Sequence, residues 1–235
     1  MADLTDARDS AAPVTSRKQG ARQGWKASAT RPEEAAQQDV PDYLRPGLKL
    51  VIVGINPGNR SGATGHHYAW PGNHFWPVLH ESGTIPEPLT FAEDYRVLEW
   101  DIGLTNLCDR TTHSADELTT EELRAGSAAL RAKLLRARPK VVCFNGKGIY
   151  EAFAGRKKVA FGLQPESLEG MLMYVVPSSS ARTAAYQRDA KVAYFRELKR
   201  ILDEVAPETA TGEESMRAEP RLQPAGSGTH TEATL

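Results

Sequence analysis

Cysteine is scarce in this chain: Cys108 and Cys143 are the two present. Two thiols are too few for a disulfide scaffold, a four-thiolate zinc site or a cysteine-ligated iron–sulfur cluster, and they suit a reducing interior. Long apolar runs are missing too. Nowhere do about 18 apolar residues follow one another, and the opening "MADLTDARDSAAPVTSRKQG" lacks the apolar core of a secretory signal. The expectation is a soluble intracellular protein without membrane contact. Nor is charge of one sign in excess: 29 basic side chains meet 30 acidic ones, for a formal net charge of -1. Any nucleic-acid footprint must therefore be local. The phosphate-loop pattern GxxxxGK followed by Ser or Thr, the dinucleotide pattern GxGxxG and the zinc-hydrolase pattern HExxH are all absent. His66, His67, His74 and His80 lie close in sequence. Neighbouring side chains at 66 and 67 point apart in an extended chain, so the spacing suits a hydrogen bond to a ligand rather than a metal.

What is present fits one medium domain with flexible ends: 235 residues, 40% hydrophobic and 25% charged. Residues 1–40 are poor in large apolar side chains and read as a disordered arm. Within it Arg17, Lys18, Arg22, Lys26 and Arg31 face no acid between Ser16 and Pro32. Such a run either holds phosphates or is a solvated tail, and the sequence leaves both open. Residues 206–235 lack aromatics and read as a disordered tail, which leaves an ordered domain over 41–205.

Inside that domain "KLVIVGIN", "IGLTNL", "KVVCFNG" and "LMYVVPS" read as buried strands. Thr119 and Glu122 form a capping-box pattern ahead of Leu123, Leu130 and Leu134, with Pro139 beyond the helix end. Val192, Phe195, Leu198, Ile201, Leu202 and Val205 give a second helical stripe from Asp189 to Val205. Strands alternating with helices predict an α/β three-layer sandwich: a central four-stranded, mostly parallel sheet flanked by helices. Ligands of such sheets sit beyond the carboxyl ends of the strands.

The unusual segments fall there. Gly54-Ile55-Asn56-Pro57-Gly58 is either a plain strand-to-loop turn or a rigid turn that holds an Asn side chain against a ligand. "FNGKGIYEAF" is either ordinary turn chemistry or a phosphate cradle at a helix start. "PSSSARTAAYQR" either makes turns and caps, or is a narrow wedge that slides between bases with Arg182 filling the gap.

"GINPG", "GHHY", "PGNHFW", "TNLCDRTT", "FNGKGIYE", "FGLQP" and "PSSSAR", in this order, resemble the mismatch-specific uracil and thymine-DNA glycosylases of the uracil-DNA glycosylase superfamily, over Pro41 to Val205. The resemblance implies an enzyme that rotates uracil, and thymine as well, out of G·U and G·T mismatches and hydrolyses the bond from base to sugar. It assigns Asn56 as the residue that orients the attacking water and Thr112 as a partner in holding that water. Gly54, Ile55, Ser61, His67, Tyr68 and Asn106 would bind the base, Tyr68 by stacking unless it only packs the core. Ser178, Ser179, Ser180, Ala181, Arg182 and Lys147 would meet the DNA, while Asn73 would support its loop or cap the next helix. No lysine aligns with a nucleophile, so simple hydrolysis to an abasic site is implied, with no cofactor and no metal. The implied partners are mismatched duplex DNA and a downstream abasic-site endonuclease. A monomer is expected, in the nucleus of a eukaryote or the cytoplasm and nucleoid of a prokaryote. Two other classes stand beside this reading, a non-catalytic mismatch-binding module and a nucleotide-binding α/β enzyme; an intact Asn56 favours the glycosylase.

Three positions depart from the pattern. Ser61 matches the bacterial uracil-type enzymes where the vertebrate thymine type has Ala, whereas Asn106 follows the thymine type. Asp101 stands where the thymine type has Gly, so it is read either as perturbing the pocket wall or as pointing to solvent. Thr84 stands where relatives usually carry an apolar residue.

Overall fold

The computed structural model describes residues 39–181 and 186–205. The disordered arm expected over residues 1–40, but for its last two positions, and the expected tail over 206–235 lie outside the described residues, as does Arg182. In chain order the elements are β1 (Leu50–Gly54), α1 (Asn59–Thr64), α2 (Phe75–Glu81), a 3-10 stretch (Phe91–Trp100), β2 (Ile102–Asn106), a short 3-10 turn (Ala115–Glu117), α3 (Thr120–Ala137), β3 (Val141–Asn145), α4 (Lys147–Ala154), β4 (Gly162–Leu168), β5 (Met171–Val176) and α5 (Arg188–Val205). Among the described residues no helix is long and apolar enough to cross a membrane.

The sheet runs in the order β2-β1-β3-β5-β4. β2, β1, β3 and β5 are mutually parallel, in the order that brings the predicted strands side by side. β1, β2 and β3 are buried along their whole length, which is why they read as continuous apolar runs rather than as alternating ones. Their side chains still divide by parity. Leu50, Ile52, Val141, Cys143, Tyr174 and Val176 join one core with α2 and α5, while Val51, Val53, Val142, Phe144, Met173 and Val175 join another with α3 and α4. That is the expected three-layer sandwich.

The expected strand count needs correction. A fifth strand, β4, pairs antiparallel with β5 at the sheet edge, with a register shift between Leu163 and Ser167. Only Gln164 of its seven residues is buried, and Pro165 sits within it. An edge strand needs neither a continuous apolar run nor every N–H, so it left no periodic signal in the sequence.

Both predicted helix signals hold. Thr119 caps α3, its side chain accepting from the Glu122 N–H while Glu122 reaches back, and Leu130 and Leu134 are buried. On α5, Val192, Phe195, Leu198, Ile201 and Leu202 face the sheet.

Candidate active site

β1 ends in Gly54, and the loop that follows continues to pair with the loop after β2. The carbonyls of Gly54, Ile55 and Pro57 accept from the N–H groups of Leu107, Cys108 and Thr112 at 2.9, 2.8 and 3.1 Å. Asn56 lies inside this zipper. Its Nδ2 donates to the Arg110 carbonyl at 2.8 Å and to Thr112 Oγ1 at 2.7 Å. Thr112 Oγ1 passes its own hydrogen to the Ser114 carbonyl at 2.8 Å. Two acceptors therefore fix which way the amide faces. Both N–H bonds are committed, and Oδ1 is left as the free polar atom, an acceptor that cannot ionise. The Arg110 side chain is held in turn by Glu122, whose carboxyl this ion pair and the Thr119 cap hold down to about 2. The capping box of α3 is thus joined to the backbone that orients Asn56.

Asn56 borders a cavity of about 480 Å³ at the carboxyl ends of β1, β2 and β3. All six residues expected to bind the base, Gly54, Ile55, Ser61, His67, Tyr68 and Asn106, line it together with Asn56. The described lining contains no Asp or Glu, so no carboxylate is available to deprotonate a water. Asn106 reaches in from the end of β2. A Cβ on Gly54 would stand 2.4 Å from Asn106 Oδ1, so glycine is required there for the Asn106 carboxamide to occupy its place.

Tyr68 has a positive φ of 53° and stacks on the buried Phe75 ring, with centroids 3.6 Å apart and planes at 17°. Core packing and cavity lining are thus combined in one ring. Burial pushes its hydroxyl well above the ordinary phenol range, with Asn145 pulling the other way. His67 is held on two sides: its ring Nε2 lies 2.8 Å from the Pro41 carbonyl, and its N–H donates to Asp94 at 2.7 Å. Burial lowers its pKa, against the pull of Pro41 and Asp94. A neutral ring donating from Nε2 keeps only an acceptor at Nδ1. Asp94, wholly buried, also accepts from Tyr43 at 2.9 Å and faces His66 Nδ1 at 3.0 Å, so it pins the whole "GHHY" strip. Ser61 Oγ accepts from the Ala69 N–H at 3.2 Å, closing the same strip onto α1.

The loop after β5, Ser178 to Ala181, forms the opposite wall. Here the expectation for Ser179 changes. It is 1% exposed, so it is an anchor rather than a surface contact to DNA. Its N–H and Oγ both meet the carboxamide of Asn145, at 2.9 and 2.8 Å, and its carbonyl accepts from the His74 N–H at 3.0 Å. Ser178, Ser180 and the exposed Ala181 line the wall beside it. Lys147 is not brought to the cavity; its ammonium lies 4.2 Å from the centre of the Phe161 ring. Thr112 also braces Asn56: its Oγ1 accepts from Asn56 Nδ2 and its hydroxyl hydrogen goes to the Ser114 carbonyl. Asn73 does support its loop, Oδ1 accepting from the Phe75 N–H at 3.0 Å.

Two of the three departures now have a physical account. Asp101 pairs with Arg45 and with Lys49 at 3.5 Å, immediately before β2, while Asn106 stands at the strand's other end. Thr84 is buried, with its hydroxyl 2.8 Å from that of Ser82, so the polar atom is satisfied.

The sequence reading missed Asn145, Asp94, Lys191, Arg60 and His113. A signal for Asn145 was present: β1 runs into Gly-Ile-Asn56, β2 ends in Leu-Thr-Asn106 and β3 in Cys-Phe-Asn145. Three neighbouring parallel strands deliver a carboxamide at the same end. Asp94 and Lys191 carried no such signal, because each is a charge buried inside an amphipathic stretch.

Comparison with known proteins places the chain in a family. The profile of the Uracil DNA glycosylase superfamily matches residues 41–203. A G/U mismatch-specific uracil DNA glycosylase of Schizosaccharomyces pombe is 37% identical over 169 residues, 68% of this chain and 52% of that protein. The chain thus spans about half the length of that relative. A solution structure of a Methanosarcina acetivorans protein matches 69% of this chain and 98% of its own, at 23% identity and a TM-score of 0.47.

Proposed function

Because the chain belongs to the uracil-DNA glycosylase superfamily, we propose that it is a monofunctional DNA glycosylase that extrudes uracil mispaired with guanine and hydrolyses its bond to deoxyribose. The observation that carries this reading is the fixed carboxamide of Asn56, with Oδ1 free, beside a cavity whose described lining holds no carboxylate.

Such a site is built to orient water, not to deprotonate it. The bond from C1′ to the base nitrogen breaks with both electrons leaving on the pyrimidine. A water steered by Asn56 Oδ1 then adds its oxygen to the electron-poor C1′, and its surplus proton passes to solvent. With so weak an activation of the nucleophile, most of the rate must come from stabilising the departing anion through fixed dipoles in a water-poor site. The main chain of Gly54 and Ile55 and the carboxamide of Asn106 are the groups at hand. His67, neutral with an acceptor at Nδ1, suits the N–H of a uracil edge, and Tyr68 offers its ring for stacking, a contact worth about 1 to 3 kcal/mol.

The same reading extends to thymine opposite guanine at a lower rate. One methyl group discriminates by only about 1 to 3 kcal/mol, so uracil should outpace thymine by roughly 10- to 200-fold. The abasic product is the substrate of an abasic-site endonuclease. Incubating the protein with a G·U duplex and then treating with alkali should break the strand at the uracil. An intact strand after prolonged incubation removes the glycosylase reading and leaves a binding module.

A further inference from the structure

Lys191, on the first turn of α5, is a buried lysine, 1% exposed. No carboxylate pairs with it among the described residues, although burying an unpaired ammonium is unfavourable. The Glu81 carboxylate is taken by Arg188. What Lys191 does hold is specific. Nζ donates to the Ser180 carbonyl at 2.9 Å and approaches His74 Nδ1 at 3.4 Å. His74 in turn grips the same loop, its N–H donating to the Ser179 carbonyl at 3.0 Å. An apolar side chain of equal size would fill this space at less expense in free energy, so packing alone does not explain a lysine here.

We propose that Lys191 is a positioning residue for the loop from Ser178 to Ala181, fixing through the Ser180 carbonyl the shape in which that loop enters a duplex, so that extrusion of the base depends on it and hydrolysis at Asn56 does not. This rests on the glycosylase reading. Burial holds the ammonium below the ordinary lysine range, in keeping with a charge kept for a purpose other than stability. The loop matters only where stacked neighbours must be parted. A base that is already unpaired is reached with much less unstacking.

The test compares the full-length protein with Lys191→Met on uracil in a G·U duplex and on uracil in an unpaired bubble, with enzyme in excess. A hydrogen bond from a charged group corresponds to roughly a tenfold effect, so duplex excision should fall about tenfold. Excision from the bubble should stay within about twofold. Thermal melting separates this from a structural role, because removing an unpaired buried charge should raise Tm, whereas loss of a structural contact would lower it. Lys191→Gln, which keeps an N–H for Ser180, should recover part of the duplex rate. Equal losses on both substrates, no loss on either, or a lowered Tm in the Met variant overturns the proposal while the glycosylase reading stands. A parent protein that releases no uracil from either substrate removes that reading, and the proposal with it.

Discussion

The two walls of the cavity are built by opposite means. On the Asn56 side, backbone holds backbone: the loop after β1 is zipped to the loop after β2 by three main-chain hydrogen bonds, and the Asn56 side chain is braced from within that zipper. On the Ser179 side, side chains hold backbone: the carboxamide of Asn145 and the ammonium of Lys191 clamp a loop that has little regular structure of its own. A main-chain zipper tolerates most side-chain changes and fails only where an atom is in direct contact. A side-chain clamp can be loosened by one substitution. On the proposed function, rigidity thus lies where a water would be aimed, and adjustability where a duplex would be accommodated.

The largest effect should come from Asn56→Ala. With Oδ1 gone the zipper persists, so duplex binding should hold within about twofold while excision falls roughly a hundred- to a thousandfold, on the scale of losing one fixed dipole at a reaction centre. Single-turnover rates beside gel-shift affinities check both halves. A variant that binds less well in proportion to its lost rate would show that Asn56 belongs to the duplex interface.

Gly54→Ala comes next. The new Cβ would meet Asn106 Oδ1 at 2.4 Å, and the carboxamide must give way. Overpacking of this kind costs about 1 to 3 kcal/mol, which is roughly a five- to 150-fold loss in kcat/KM once Asn106 leaves its place. Adding Asn106→Ala to Gly54→Ala should cost little further activity if displacement of that carboxamide is the cause. The opposite wall gives a smaller figure. Asn145→Ala removes two buried hydrogen bonds to Ser179, so we expect about 2 kcal/mol lower stability by denaturant titration and roughly a tenfold loss on duplex substrate. If Asn145→Ala proved as damaging as Asn56→Ala on unpaired uracil, the division between the walls would be wrong.

Much of the first wall was legible in the sequence, because its logic is local. "VIVGINPG" states both a buried strand and the turn that ends it, and the strands that lead to Asn56 and Asn106 could be found as apolar runs between breakers. The second wall was legible only in part. "PSSSAR" marks a loop, but its anchors come from β3 and α5, and nothing in "RDAKVAYF" separates a buried lysine from the solvated lysines of an ordinary amphipathic helix. Ser179 illustrates the same limit. Three consecutive serines look alike in sequence, yet one is buried against Asn145 and its neighbours are not. β4 escaped for a further reason, since an edge strand carrying Pro165 has a polar exterior and almost no apolar face.

The smallest expected effect sharpens the comparison from outside it. Asp101 is a carboxylate immediately before β2, the strand that delivers Asn106 at its other end. Five residues of strand at about 3.3 Å each separate them by roughly 16 Å, twice the screening length of about 8 Å at physiological salt. The charge is also partly exposed and already paired with Arg45 and Lys49. Asn fits the left-handed backbone at φ 58° as well as Asp does, so Asp101→Asn removes the charge and leaves the chain path alone. Stability should change by less than about 1 kcal/mol, as for other exposed ion pairs. Excision should stay within about twofold at physiological salt. A larger change that grows as salt is lowered would mean that the field of Asp101 reaches the cavity, and that the far end of β2 belongs to the first wall after all.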